Sequence, residues 1–242
     1  MILVLAGTAE GRAVASALHA EGRDAIASFA GVTRAPLQPD GPVRTGGFGG
    51  AEGFRRFLAQ AGIRAVLDAT HPFAARITAR TARLCAEAGL PHAVLSRPAW
   101  RAGPGDRWHA VATPAEVAEV VPPGAAVFLA IGRQDLPHYA GLAGRRIVIR
   151  SIEPASAALF PGATVLTARP PWSVADETAL LRAHRIDWIV TKNAGGTGAR
   201  AKLDAARDLG LDVAMVDRPP LPPGARVLAD VGAALDWLRA LP

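Results

Sequence analysis

The side chains most capable of chemistry in this chain fall in short segments, many rich in glycine and most of them directly behind an apolar run. The first is Ala6-Gly7-Thr8-Ala9-Glu10-Gly11-Arg12. Small residues here allow the close backbone approach that a pyrophosphate requires. Gly7, Thr8, Ala9 and Glu10 are therefore candidate contacts, although the full G-x-G-x-x-G pattern is absent. A glycine turn that merely closes a strand-helix unit has the same appearance. The second is Ser28-Phe29-Ala30-Gly31-Val32-Thr33-Arg34. An NAD site places an acid about 20 residues beyond its glycines to hold the ribose hydroxyls, whereas this segment offers a hydroxyl and a cation. A carboxylate there would repel a 2′-phosphate; Ser28 and Arg34 can instead bind one through charge-assisted hydrogen bonds of about 1.5–3 kcal/mol each. The segment favours NADP over NAD.

Further segments widen the set. In Gly46-Gly47-Phe48-Gly49-Gly50, glycines bracket one ring, so Gly47, Phe48 and Gly49 either admit a ligand beneath the aromatic cover or form a flexible turn. In Asp68-Ala69-Thr70-His71-Pro72-Phe73-Ala74, Thr70 and His71 stand where a strand meets a helix, and a helix cap with Pro72 as first helical residue accounts for them equally. Ile131-Gly132-Arg133-Gln134-Asp135 ends another run and Arg150 ends the next; two guanidinium groups at neighbouring strand ends form a rim suited to carboxylates. Of 27 basic residues only Lys192 and Lys202 are lysine, and both lie in Thr191-Lys192-Asn193-Ala194-Gly195-Gly196-Thr197-Gly198-Ala199-Arg200-Ala201-Lys202. The glycine amides of this loop and the Lys192 ammonium add to one positive field. No G-x-x-x-x-G-K-[ST], C-x-x-C, H-x-x-x-H or G-x-S-x-G occurs, which disfavours ATPase, metal and serine-hydrolase chemistry. No metal site is expected, and His19, His92, His109, His138 and His184 read as packing or surface residues.

Loops of this kind need a scaffold that gathers strand ends. Periodicity predicts strands over 2–6, 24–29, 64–69 and 92–95, interleaved with helices over 10–20, 52–61 and 72–88. The alternation breaks over 96–105 and resumes with strands over 126–131, 146–150, 164–167, 187–191 and 212–216 and helices over 114–120, 173–184, 197–209 and 231–240. The expected fold is α/β: two Rossmann-like lobes, 1–98 for the nucleotide and 99–242 for a second ligand, each a mostly parallel sheet flanked by helices. Ligands of such sheets bind outside the carboxyl ends of the strands. A 50% hydrophobic and 20% charged composition is that of a globular protein. A net charge of +6 calls for an anionic partner, while 5% aromatics and no basic run longer than a pair speak against nucleic acid. A small polyanion fits better. No run approaches the ~18 apolar residues of a membrane span, and Met1-Ile2-Leu3-Val4-Leu5 lacks a basic leader, so a cytoplasmic chain with no membrane partner is expected. The single Cys85 reads as a packing residue.

Gly7-Thr8, the 46–50 loop, Asp68-Ala69-Thr70-His71-Pro72-Phe73-Ala74-Ala75, Ile131-Gly132-Arg133-Gln134 and Thr191-Lys192-Asn193-Ala194-Gly195-Gly196 together make the chain resemble, nearly end to end, the precorrin-6A reductase family of cobalamin biosynthesis. The threonine-histidine-proline-phenylalanine and lysine-asparagine segments are the more specific parts. Val32 stands where that family often has arginine, and Ala194 where serine is common. The resemblance implies an oxidoreductase that passes hydride from NADPH to one carbon of a conjugated double bond of precorrin-6A, giving precorrin-6B. It implies NADPH across the first lobe, the macrocycle in a cleft between the lobes, and Asn193, Gly195 and Gly196 beside Arg133, Arg150 and Lys192 on the substrate side. Such a tetrapyrrole carries many carboxylates, which suits a basic protein. His71, able to titrate near neutrality, is the candidate proton donor or nicotinamide-positioning residue. Transient contact with neighbouring pathway enzymes belongs to the same expectation. Two other functions stay open: an S-adenosylmethionine-dependent methyltransferase of the same pathway, which would be expected to carry the absent second-strand acid, and a non-catalytic NADP-binding sensor lacking a second anionic pocket.

Overall fold

Strand alternation organises the first sheet. In β1 (Ile2–Ala6), Ile2, Val4 and Ala6 pack into one hydrophobic cluster and Leu3 and Leu5 into another, so both faces are covered. β1 therefore lies at the centre, flanked by α1 (Ala9–Ala20), β2 (Ala25–Phe29), β3 (Val43–Thr45), α2 (Gly50–Gln60), β4 (Ala65–Ala69), α3 (Ala75–Glu87) and β5 (His92–Leu95). The second alternation comprises β6 (Arg107–Val111), α4 (Val117–Val120), β7 (Ala126–Ala130), a 3-10 helix over Arg133–Leu142, β8 (Arg146–Ser151), β9 (Thr164–Thr167), α5 (Val174–Ala183), β10 (Trp188–Lys192), α6 (Ala201–Leu209) and β11 (Asp212–Val216). β12 (Val227–Leu228) and α7 (Val231–Arg239) close the chain. This computed structural model describes residues 1–31, 37–152, 156, 158–169 and 171–241.

Both sheets have six strands, all pairings parallel, in the orders β3-β2-β1-β4-β5-β12 and β9-β8-β7-β10-β11-β6. Each winds outward from one strand in one direction and then returns to its other side. The order reverses between β1 and β4 in one sheet and between β7 and β10 in the other. These are the switch points at which neighbouring loops diverge and leave a crevice at the carboxyl edge.

The expected second lobe of 99–242 is corrected at its end. The compact units are Met1–Pro98 with Pro219–Pro242, and Ala99–Arg218. The reason is packing: β12 pairs with β5 through Val227↔Val94 and Leu228↔Leu95, while Ala234 and Leu238 of α7 join the cluster of Val14 and Leu18 from α1. β6, β12 and the edge strand β3 were not predicted, because a run such as Val43-Arg44-Thr45 is too short and polar to show a period. Since Leu238 is fully buried, Leu238→Ala is expected to destabilise the first unit by about 2–5 kcal/mol, read as a lower denaturant midpoint. Among the described residues, no helix is long and apolar enough to cross a membrane.

Candidate functional site

The first switch point is closed by a small set of contacts. Thr8 caps α1, its Oγ1 accepting from the Gly11 amide at 3.2 Å and donating to the Ala69 carbonyl at 3.0 Å. The loops after β1 and β4 are thereby joined, and the Thr8 hydroxyl is occupied in the join. A Cβ on Gly7 would lie 3.0 Å from Thr70 Cα and 3.3 Å from the His71 nitrogen, so a side chain there would wedge the two loops apart. Ala9 opens α1, and the carboxylate of Glu10 pairs with Arg97 at 2.7 Å. Thr70 does not cap α3. Its amide and hydroxyl both donate to Asp68 Oδ1, at 3.0 and 2.6 Å. The helix-cap account of Thr70 and His71 is corrected accordingly: the Ala74 amide donates to the His71 carbonyl at 2.7 Å, forming a turn over 71–74, and the helix begins only at Ala75. His71 is half-buried, with Nδ1 accepting from the Phe73 amide at 3.3 Å.

At the ends of β2 and β3, Ser28 and Arg44 are cross-strand partners on one face, and the Arg44 guanidinium donates to Ser28 Oγ at 2.8 Å and to the carbonyls of Gly46 and Gly47 at 3.0 Å each. Arg44 is a residue that the sequence reading missed. Its visible signal was a cation directly before the Thr45-Gly46-Gly47 turn. Arg34, expected to do this work, lies outside the described residues. Partial burial lowers the Arg44 pKa from its ordinary value. Phe48 does not lie open as a cover: it packs edge-on against Phe54 and Phe57, at 4.7 and 5.2 Å between centroids, with the Arg44 guanidinium 4.0 Å above its ring. Gly53 makes this possible, since a Cβ there would fall 1.6 Å from the Phe48 carbonyl oxygen. Arg44, Gly47, Phe48, Arg56, Phe57 and Gln60 line an open cavity of about 410 Å³, and Gly49 caps α2 beside it.

At the second switch point, Lys192 ends β10 and pairs with Asp135 at 2.6 Å; Arg133 heads the 3-10 helix that carries Asp135. Two expectations change here. Arg150 is no rim residue: it is buried, with Nη1 and Nη2 on the two oxygens of Glu177 at 2.9 and 2.7 Å and its guanidinium 3.6 Å from the Trp172 ring. The Asn193 amide is likewise committed, accepting from the Trp100 nitrogen at 2.8 Å and donating to the Trp100 carbonyl at 3.1 Å. Gly195 and Gly196 follow in the loop, where the Trp100 indole donates to the Gly196 carbonyl at 2.7 Å. Lys202 is buried too, donating to the Ala199 carbonyl at 2.7 Å with its nitrogen 5.3 Å from the Trp100 ring.

Burial holds the Lys202 amine down to about 8; the Glu177 charge opposes this and Arg150 reinforces it. The unfolded chain therefore binds more protons than the folded chain between about pH 8 and 10.5, and stability rises with pH through that window. Lys202→Met is expected to remove a rise of about 3 kcal/mol. The quantity to measure is the difference between the two proteins, because Cys85, pushed up to about 12 by burial and then by Asp68, works in the opposite direction above pH 9 in both.

The first switch point thus presents the bare backbone of Gly7 and the α1 N-terminus, and the second presents Arg133, Lys192 and the 193–196 loop. Bare backbone at Gly7, a twelve-residue helix behind it and a hydroxyl-cation pair at the end of β2 fit a dinucleotide with an added phosphate. Among the described residues, no group of three or more His, Cys, Asp or Glu side chains is arranged to hold a metal ion. Fold and site define a doubly wound α/β protein of two Rossmann-like lobes. Residues 1–239 match the family described as precorrin-6x reductase CbiJ/CobK. Precorrin-6A reductase of Rhodococcus erythropolis is 48% identical over 99% of this chain and 98% of its own length, and that of Rhodobacter capsulatus 41% identical over 98% and 95%. A solved structure titled CobK precorrin-6A reductase superposes with a TM-score of 0.92 at 40% identity, covering 98% of this chain and 95% of that one. The chain belongs to the precorrin-6x reductase CbiJ/CobK family.

Proposed function

We propose that this protein reduces one carbon-carbon double bond of precorrin-6A to give precorrin-6B in cobalamin biosynthesis, with NADPH as the donor. What carries the cofactor choice is the Ser28–Arg44 pair at the end of β2, where an NAD site carries an acid. NADPH, when bound, supplies the hydride. Gly7, whose own amide donates to the Ala69 carbonyl, would let the pyrophosphate approach the backbone closely, and the amides of Thr8, Ala9 and Glu10 at the α1 N-terminus would hold it. Arg44 faces the 2′-phosphate with its charge, and Ser28, which accepts from Arg44, keeps its own proton to donate. Gly47 and Gly49 leave backbone accessible beside this cation, and Phe48 supports it from below. Thr70 and His71 stand at the carboxyl end of β4; because His71 Nδ1 accepts a hydrogen bond, the neutral ring carries its hydrogen on Nε2, from which it would donate a hydrogen bond that positions the nicotinamide, whereas proton delivery would require the imidazolium, with the Phe73 contact given up. Arg133 and Lys192, with the amides of Gly195 and Gly196, meet the substrate carboxylates, and Asp135 holds the Lys192 ammonium in place. Arg150 and Asn193 support these groups from within.

The substrate is taken to be cobalt-free, since the relatives at 41–48% identity are named precorrin-6A reductase and the cobalt-precorrin-6A reductase of Priestia megaterium shares 29%. A cytoplasmic setting goes with this reading. A methyltransferase is disfavoured by the Ser28–Arg44 pair at the end of β2, where it would carry an acid, and a sensor by the second cationic edge. Anaerobic incubation with NADPH and precorrin-6A, following the nicotinamide and macrocycle absorbance bands together, is expected to show both change in step. Macrocycle bands that stay constant while NADPH remains reduced would overturn the assignment.

A further inference from the structure

Asp68 is fully buried next to the last residue of β4, one residue from the first switch point. Its neighbours Leu67 and Ala69 pack on the α1 side, so alternation turns Asp68 towards the α3 side with Val66. There Oδ1 takes both Thr70 donors, at 3.0 and 2.6 Å, while Oδ2 has no hydrogen-bond partner among the described residues. Thr78 of α3 brings its hydroxyl to 3.4 Å from that of Thr70, and the Thr81 hydroxyl is buried with no hydrogen-bond partner among the described residues. No ion pair to Asp68 occurs among the described residues. A buried, half-satisfied carboxylate with no counter-ion is costly, typically several kcal/mol before compensation, and packing alone gives no reason to keep one. Its field also reaches its surroundings. It raises the Cys85 thiol further, after burial, and opposes the lowering that burial imposes on His92.

A dinucleotide with its adenosine end at β2 would cross the β1–β4 switch point, and its nicotinamide half would then face the end of β4. Hydride donation turns that ring from neutral to cationic. We propose that Asp68 is a positioning residue that acts through Thr70 and through its field, orienting the Thr70 hydroxyl and favouring the oxidised, positively charged nicotinamide over the reduced one. This rests on the NADPH assignment above. The carboxylate then serves as the counter-charge that the fold leaves unpaired, and it lowers the barrier for hydride to leave by stabilising the charge that develops.

The test is the ratio of NADP⁺ to NADPH affinity, measured by fluorescence and calorimetric titration without macrocycle. The two ligands share every phosphate and differ by one charge on the nicotinamide, so general damage to the fold weakens both alike and leaves the ratio unmoved. Asp68→Asn, with Asp68→Ser as a second neutral replacement, is expected to weaken NADP⁺ relative to NADPH by about tenfold, the scale of one unit charge acting through protein. Thr70→Ser, which keeps both donors, is expected to preserve the wild-type ratio. A ratio unchanged in the neutral variants would overturn the proposal while leaving NADPH binding intact. Wild-type protein that prefers NADPH to NADP⁺ by tenfold or more would overturn it without any variant. Wild-type protein that binds neither nucleotide would overturn it together with the cofactor assignment.

Discussion

Arg150→Met is expected to destabilise the second unit by about 3–5 kcal/mol, the usual cost of leaving one member of a buried ion pair behind. The Arg150 and Glu177 side chains are only 6% and 2% exposed, and the two guanidinium-carboxylate bonds are parallel and short. Without Arg150, Glu177 keeps a charge that water cannot reach. Lys202 offers partial relief, because Glu177 already favours its protonated form while Arg150 opposes it. That relief places the expected loss towards the lower end of the range and raises the Lys202 pKa. The double variant Arg150→Met with Glu177→Leu is expected to recover most of the loss, since two apolar side chains of similar size have no charge to desolvate. Denaturant midpoints of the single and double variants measure this directly. Recovery of stability together with turnover would assign Arg150 to the scaffold. Stability changed by less than about 1 kcal/mol, with a raised KM for the macrocycle, would instead return Arg150 to the substrate rim that its position at a strand end suggested.

The Arg150 case marks the boundary of what the chain reveals before folding. Apolar runs with glycine behind them locate strand ends, because a parallel strand is buried on both faces and its turn must be tight. For that reason β1, β4 and β10 and the loops after them were legible. Where a long side chain turns at a strand end is decided by partners distant in sequence. Arg150 finds Glu177 on α5, Asn193 finds the backbone of Trp100, and Arg44 finds Ser28 across a three-residue edge strand. None of these has a local period or spacing. The return of β12 and α7 to the first unit is hidden for the same reason: α7 is amphipathic on its own terms, and only the apolar face that Val14 and Leu18 of α1 present to Ala234 and Leu238 decides where it docks. Lys202 falls within the helix expected over 197–209, and what its sequence does not show is that its side chain lies on the buried face with Leu203 and Ala206.

Arg44→Ala is expected to lower the NADPH-to-NADH ratio of kcat/KM by about 10-fold to 100-fold, which corresponds to one charge-assisted hydrogen bond to the 2′-phosphate. The ratio is the informative quantity because Arg44 also ties the Gly46 and Gly47 carbonyls to Ser28 and stacks on Phe48. Loosening that turn penalises both cofactors, whereas the added phosphate exists on one. Arg44→Lys separates the contributions further: the ammonium keeps the charge but cannot span the same three acceptors, so the ratio should fall less than in the alanine variant while both KM values rise. Salt provides an independent check, since the NADPH preference of the wild type should shrink as ionic strength screens a half-exposed cation. Arg34→Ala is the necessary comparison. If the ratio collapsed there and held in Arg44→Ala, the 2′-phosphate would belong to the segment after β2, and Arg44 would be left with the structural task of holding the Phe48 loop against α2.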